Sequence, residues 1–345
     1  MSVIETEIKN GVGTITLNRP EVLNAMTWEM NKAISETLAA WQEDYHVHMV
    51  VFEGAGDKAF CAGGDVRSIY YAHQDNDENL LREFYRTEYA MDKIIAYFPK
   101  PIISFCEGIT MGGGIGIAVN GRYRIVSDRS LWAMPECIIG FFPDVGSGYF
   151  LNECPGQIGL YLGLTGARMN AAEALYAGLA THYVPSEKMD ILRNTLIQAE
   201  TQFYPEEILQ QSLEMFAEEP QQFNDLQENK ADMDEVFAGH SVEDIVQALQ
   251  DLGSKWAHAA LEKLQAASPT SLKVTFAYLR HCRREGLNIE NVLKLDYRLS
   301  QHFVHGKDFY EGVRALLIDR DNNPHWDPST LEGVSDSVVN GYLMT

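Results

Sequence analysis

Two carboxylates bracket an apolar segment, "WAMPECIIGFFPDVGSG", at residues 132–148: Glu136 follows Pro135, and Asp144 follows Pro143. Proline holds φ at about −65°, so the chain enters each acid along a set direction. Between them lie Ile138, Ile139, Phe141 and Phe142. Acids beside a turn also cap helices or face water. The oily stretch is what makes chemistry worth considering here. Burial raises a carboxyl's pKa, and a second acid nearby raises one of the two further. Such a pair divides into a base or nucleophile and an acid or anchor.

Two glycine-rich segments, "FCAGGDVR" (60–67) and "GITMGGGIG" (108–116), come after the apolar runs Val50-Val51-Phe52 and Ile102-Ile103-Ser104-Phe105. Glycine lets backbone N–H groups approach a ligand with no Cβ in the way. A helix then begins, so its free N–H groups and its dipole point to the same place. Two such segments can aim two amide donors at one oxygen, as an oxyanion hole requires. Close helix–strand packing also selects glycine, and that alternative stands beside the first. Other glycine motifs fail on spacing. A dinucleotide G-x-G-x-x-G needs glycine where Ile117 stands, and no Lys-Ser/Thr pair completes a phosphate loop. "DVGSG" has Val145 where a serine nucleophile elbow needs glycine.

The elements that must position these residues alternate in pattern. Two β-rich runs flank Asn10-Gly11, a hairpin signal. Residues 27–43 have helical periodicity, with Thr27 as N-cap and Glu29 and Glu36 on the wet face. "HMVVFEGAG" reads as a buried strand, 79–97 as a helix and "PIISFCEG" as a strand. "MGGGIGIAVN" is a turn running into a helix, and "YRIVSD" and "LWAM" are strands. Strand pairs alternating with helices predict stacked ββα units. Residues 156–178 read as two short helices, and the chain from about 186 onward is helical in pattern. Within it, "EEPQQFNDLQENKADMDE" (218–235) is expected to be an exposed acidic connector.

Composition bounds the rest. The 345 residues, 46% hydrophobic, suffice for one large core, or a core with an appended helical lobe. Lys and Arg number 27 against 49 Asp and Glu, a net charge of −22. This argues against nucleic acid, whose phosphates would be repelled. No stretch reaches bilayer-spanning length, and "MSVIETEIKN" has neither a basic start nor an apolar signal region, so a cytoplasmic protein off the membrane is expected. Cys61, Cys106, Cys137, Cys154 and Cys282 form no C-x-x-C pair and read as buried free thiols. His46/His48 and His302/His305 lie outside any H-E-x-x-H pattern, so no metal site is expected.

"LNRPEVLNAM", "FCAGGDVR" and "GITMGGGIGIAVNGRYRIV" together resemble the crotonase (enoyl-CoA hydratase/isomerase) superfamily, over about residues 3–190. "EYAMDKII", "MPECIIGFFPDVGSGYFL", "LTGARM", "AGLATHYV", "YRLSQHF" and "GKDFYEGVRALLIDRDNNPHW" narrow the resemblance to its 3-hydroxyisobutyryl-CoA hydrolase branch and extend it to about residue 328. The resemblance implies an α/β fold, a spiral of ββα units over residues 1–190. A helical C-terminal region, 191–345, would complete an acyl-CoA site. It implies an acyl-CoA thioester whose carbonyl oxygen sits between the N–H groups of Gly64 and Gly113. Glu88, Gly113, Glu136 and Asp144 would line the acyl group. Hydratases of the superfamily use two glutamates, and here the first of those positions is Gly116 while the second is Glu136. Asp144 stands where hydratases usually carry glycine.

Both departures point to hydrolysis of a short 3-hydroxyacyl-CoA, foremost 3-hydroxyisobutyryl-CoA from valine breakdown. Gly64, Gly113, Glu136 and Asp144 would be the catalytic set. Glu136 either attacks the carbonyl to form an anhydride or activates water, and Asp144 and Glu88 hold the substrate hydroxyl or the water. Arg67, Lys307 and Arg314 are the cations that could meet CoA phosphates. No cofactor is expected beyond the CoA of the substrate, and a homo-oligomer is compatible with the resemblance. Two alternatives stay open: a hydratase or isomerase on the same fold, and a non-catalytic acyl-CoA-binding relative.

Overall fold

Asn10 and Gly11 both take positive φ, 51° and 84°, and fold strand β1 (Ile4–Lys9) back on β2 (Val12–Leu17) as an antiparallel hairpin. Such a turn matches the twist of the strands it joins. The computed structural model describes residues 2–199 and 201–344. Helix α1 (Trp28–Glu43) starts where the Thr27 side chain accepts the Met30 N–H at 3.2 Å. It buries Met30, Ile34, Leu38 and Trp41 on one face and leaves Glu29 and Glu36 in water.

Strand pairs then repeat: β3 (Met49–Gly54) and β4 (Ala59–Cys61), β5 (Ile102–Phe105) and β6 (Ile109–Met111), β7 (Tyr123–Val126) and β8 (Leu131–Ala133). The first strand of each pair joins a six-stranded sheet, ordered β1-β2-β3-β5-β7-β9 with β9 at His182–Tyr183. The second joins a three-stranded sheet, β4-β6-β8. Beyond the hairpin, the large sheet is parallel. Helices follow the pairs: α2 (Val66–Gln74) and α3 (Glu78–Ala96) after β4, and α4 (Gly113–Asn120) after β6. This is the ββα spiral. β3 is a continuous buried run because its sheet is covered. Helices Ser186–Gln198 and Pro205–Phe216 lay Met189, Leu192, Leu196, Leu209 and Leu213 on Val12, Met49, Val51, Ile103, Phe105 and Ile125.

The described chain forms two compact units, each drawn from three stretches. One comprises the residues up to Gly64, Ala90–Trp132 and Met169–Asn224; the other comprises Asp65–Tyr89, Ala133–Arg168 and Asp225 onward. Among the described residues every strand ends by Tyr183, and the chain beyond is helical. The units nevertheless interleave along the sequence instead of dividing it once near residue 190. The second unit holds an aromatic core in which the Phe141 ring lies 4.9 Å from Phe142, 5.3 Å from Phe303 and 5.2 Å from Phe309.

The expected acidic connector is only partly one. Its second half folds into helices Asp225–Glu228 and Lys230–Val236, which bury Leu226, Met233 and Val236. A few apolar residues at helical spacing outweigh a polar composition once there is a surface to cover. All five cysteines are buried and free. No helix among the described residues is long and apolar enough to cross a membrane.

Candidate active site

Glu136 opens a short 3₁₀ turn, Glu136–Ile139, directly after Pro135, and Asp144 follows Pro143 at the end of a stretch with no regular secondary structure. Both side chains are buried, at 7% and 5% exposure. The segment between them turns inward at Phe141 and Phe142, while Ile138 and Ile139 are half-buried. The acids act on each other. Burial pushes the Glu136 carboxyl well above its ordinary pKa, and the charge of Asp144 pushes it further. Burial likewise raises Asp144, to about 7, against hydrogen bonds from Tyr89 and its own backbone that pull it down. One Glu136 oxygen, Oε2, is buried with no hydrogen-bond partner among the described residues. An ionisable oxygen kept dry and unpaired is costly, and this is the arrangement expected of a base or nucleophile awaiting its substrate.

Helix α3 brings Glu88 to the same unit. Its buried face carries Leu81, Phe84, Tyr85, Glu88 and Tyr89, while Arg82 and Arg86 face water. Glu88 is 2% exposed, so it is not one of the solvated charges usual on an amphipathic helix. The Tyr89 hydroxyl donates to Asp144 Oδ2 at 2.6 Å. The charges of Asp144 and Glu88 both raise the phenol pKa values of Tyr85 and Tyr89, after burial. Tyr85, Glu88, Tyr89, Glu136 and Asp144 thus form one cluster.

The turn after Asp144 is held by residues that the motifs do not reveal. Val145 sits at φ 51°, costly for a β-branched side chain, and Gly146 at φ 91°. The Gly146 N–H donates to Asp296 Oδ2 at 2.8 Å, and the Gly148 N–H donates to the Tyr278 hydroxyl at 2.8 Å. Tyr278 in turn donates to Asp296 Oδ1 at 2.5 Å. Asp296 is fully buried and raised well above the usual carboxylate range by burial. It pins the loop that aims Asp144.

The glycines of the two segments lie in the other unit and are packed together. A Cβ on Gly63, at φ 104°, would lie 3.7 Å from the Gly113 nitrogen. Gly112 is the N-cap of α4 at φ 48°, and Gly113 is its first residue. Neither the Gly64 nor the Gly113 N–H donates to an acceptor among the described residues. Packing also selects glycine here, because a Cβ on Gly114 would come within 2.5 Å of the Cys61 carbonyl oxygen. The packing reading therefore holds at Gly114, while the N–H groups of Gly64 and Gly113 have no acceptor among the described residues. Gly116 is buried in α4 and supplies no acid.

The three candidate cations differ. Arg67 donates to the Leu317 carbonyl at 3.0 Å. Lys307 pairs with Asp327 at 2.7 Å, and both are exposed. Arg314 is held by Glu311 at 2.8 Å and by Asp319 and Asp321 at 2.7 Å, which offsets its charge. Among the described residues no His, Cys, Asp and Glu groups gather as a metal centre.

A spiral of ββα units with paired buried acids and two glycine turns defines a class. Residues 12–343 match the enoyl-CoA hydratase/isomerase family, and the chain belongs to it, within the crotonase superfamily. It is 43% identical over 333 residues to "3-hydroxyisobutyryl-CoA hydrolase, mitochondrial" of Danio rerio, covering 95% of this chain and 85% of that one. To the Homo sapiens protein of the same name it is 39% identical over 341 residues, covering 98% and 87%. Among solved structures it superposes with TM-score 0.93 and 36% identity on a carnitinyl-CoA dehydratase from Mycobacterium thermoresistibile, covering 100% and 97% of the two chains. An enoyl-CoA hydratase from Rhodobacter sphaeroides 2.4.1 gives 0.91 and 35%, covering 99% and 97%. The word mitochondrial in the curated names overturns the cytoplasmic placement expected from the N-terminus. Compartment is decided by targeting signals and not by the folded core, so the composition of a folding domain is a weak guide to it.

Proposed function

We propose that this chain is a thioesterase that converts 3-hydroxyisobutyryl-CoA and water to 3-hydroxyisobutyrate and free CoA, a step of valine breakdown. The observation that carries the reading is Glu136: dry, with an unpaired oxygen, beside Asp144, in a chain whose other hydratase glutamate position is Gly116. Water addition to a double bond needs one group to activate water and another to handle the proton at the α-carbon. Thioester cleavage needs an oxyanion site and one activated oxygen. The names of the curated relatives support the same reaction.

The Gly64 and Gly113 amides are assigned to the thioester carbonyl oxygen. Glu136 either adds to the carbonyl carbon or takes a proton from the water that does. The tetrahedral intermediate then collapses, the C–S bond breaks and CoA leaves as a thiolate, which takes its proton from Glu136 on the base route and from water on the anhydride route. In the first route the acyl-Glu136 anhydride is hydrolysed in a second step. Glu88 and Asp144 are assigned to the substrate hydroxyl or the water. Arg67 and Lys307 are the cations proposed for the CoA phosphates; Arg314 is already matched by three carboxylates. The reading calls for no metal or further cofactor.

Free-thiol release from a panel of acyl-CoAs tests it. The hydroxylated C4 thioester should release CoA, and Glu136→Gln should lower kcat roughly a thousandfold or more while CoA binding persists. A second reading, hydration of an enoyl-CoA, is favoured by the likeness to the Rhodobacter sphaeroides enoyl-CoA hydratase. Rapid hydration of a 2-enoyl-CoA with no thiol release would put that reading in place of the first.

A further inference from the structure

We infer that Tyr85 is a specificity-determining residue, whose hydroxyl donates a hydrogen bond to the 3-hydroxyl oxygen of the acyl group; the inference rests on the thioesterase reading above. Tyr85 is 3% exposed, and its hydroxyl has no partner among the described residues. Its ring is fixed, stacked on Phe141 at 5.4 Å and 23° and lying 6.0 Å from the Tyr89 ring. The two tyrosines are four residues apart on the buried face of α3, yet of the two hydroxyls only that of Tyr89 has a partner among the described residues, as the donor to Asp144. Buried phenols normally find a partner. A hydroxyl held rigidly, in the dry, next to the acids assigned to substrate is therefore a donor kept for something that arrives.

The chemistry of that arrival follows from the inventory of donors and acceptors. An ionised carboxylate only accepts, so Asp144 or Glu88 can take the proton of an alcohol but cannot serve its oxygen. An alcohol brings one O–H and two lone pairs. With its proton given to a carboxylate, its oxygen still needs a donor, and Tyr85 supplies one. The phenol keeps its proton throughout the working range, because burial and the charges of Asp144 and Glu88 all oppose its ionisation. An acyl group lacking the hydroxyl would leave the buried phenol unpaired, which is how a site rejects a deoxy analogue far more strongly than it rejects a missing methylene.

The experiment compares wild type and Tyr85→Phe on 3-hydroxyisobutyryl-CoA and on isobutyryl-CoA, by thiol release, with thermal unfolding measured alongside. Wild type should prefer the hydroxylated thioester. Tyr85→Phe should reduce kcat/KM for that substrate by roughly 10- to 100-fold and leave isobutyryl-CoA unchanged, so that the preference narrows by the same factor. Its Tm should be unchanged or higher, since the variant removes an unpaired buried hydroxyl and keeps the ring packing. Equal losses on both substrates would mean that the phenol serves the attacking water or the carboxylates, and would overturn the inference. So would an unmoved preference, or a loss on both accompanied by a fall in Tm. Wild type that cleaves neither thioester would remove the thioesterase reading and this inference with it. Wild type that cleaves the hydroxylated substrate, with a preference that Tyr85→Phe does not alter, would remove the inference alone.

Discussion

Asp144 and Glu136 are buried in a protein that would be more stable with neutral side chains at those positions. Each acid is held above its ordinary pKa, chiefly by burial. Over the window between the ordinary and the raised value, the folded state keeps a proton that the unfolded state has released. Stability therefore falls as pH rises through that window. For Asp144 the window runs from about 4 to about 7. Asp144→Asn removes this liability, and it also removes the charge that raises Glu136, an effect of the same sign. Relative to wild type, the variant should gain stability progressively from about pH 4 to about pH 7, by a few kcal/mol in all, and the gain from Asp144 itself should level off above that. Chemical denaturation across pH measures it. A stability difference that stays constant over this range would mean that Asp144 is ionised in the folded protein.

At the scale of the element, the first turn of α4 carries both the packing and the chemistry assigned to the glycine segment. Gly113 is the first helical residue, where proline is well tolerated, and its N–H is not used by the helix. The preceding residue is Gly112, so the steric restriction on a residue before proline matters little. Gly113→Pro should therefore fold, with a thermal transition near that of wild type, and should lose roughly 100- to 1,000-fold in kcat, about 3 kcal/mol of transition-state stabilisation, from loss of one oxyanion donor. Circular dichroism and thiol release together check this, and an active variant would move the donor elsewhere. The neighbouring Gly114 is glycine for a different reason, its approach to the Cys61 carbonyl. The string Gly112-Gly113-Gly114 does not say which glycine packing requires; the backbone path does, at Gly114.

For the whole molecule, a net charge of −22 opposes the approach of a ligand that carries several phosphates. The candidate cations weaken this only locally, and two of the three are paired with carboxylates. Raising ionic strength from about 0.01 M to about 0.15 M shortens the screening length from about 30 Å to about 8 Å. The distant repulsion should fade faster than any close contact. KM for an acyl-CoA should then fall a few-fold over this range with kcat unchanged, the reverse of what a basic CoA-binding surface would show. A KM that rises with salt would place a dominant cationic patch at the binding site.

What the amino-acid sequence determined by itself is local or compositional. The Asn10-Gly11 hairpin, the Thr27 cap, the buried β3 run and the two helices within 156–178 rest on dihedral preferences and on periodicities a few residues long. The proline-set acids and the glycine turns stood out because their residue types are unusual in apolar surroundings, and the resemblance then supplied roles that composition could not. Tertiary structure decided which groups are partners. Asp296 reaches Gly146 across 150 residues, and no spacing announces it. Glu88 belongs to the buried face of α3 rather than the wet one, Tyr85 is left without a partner while Tyr89 has one, and Arg314 is taken up by carboxylates. The acidic stretch at 218–235 is half helical because Leu226, Met233 and Val236 are buried. The physical reason is common to all of these. Backbone preference acts within a turn or two of the chain, whereas burial, and with it the pKa of an acid or the pairing of a hydroxyl, exists only once distant segments have closed around the side chain.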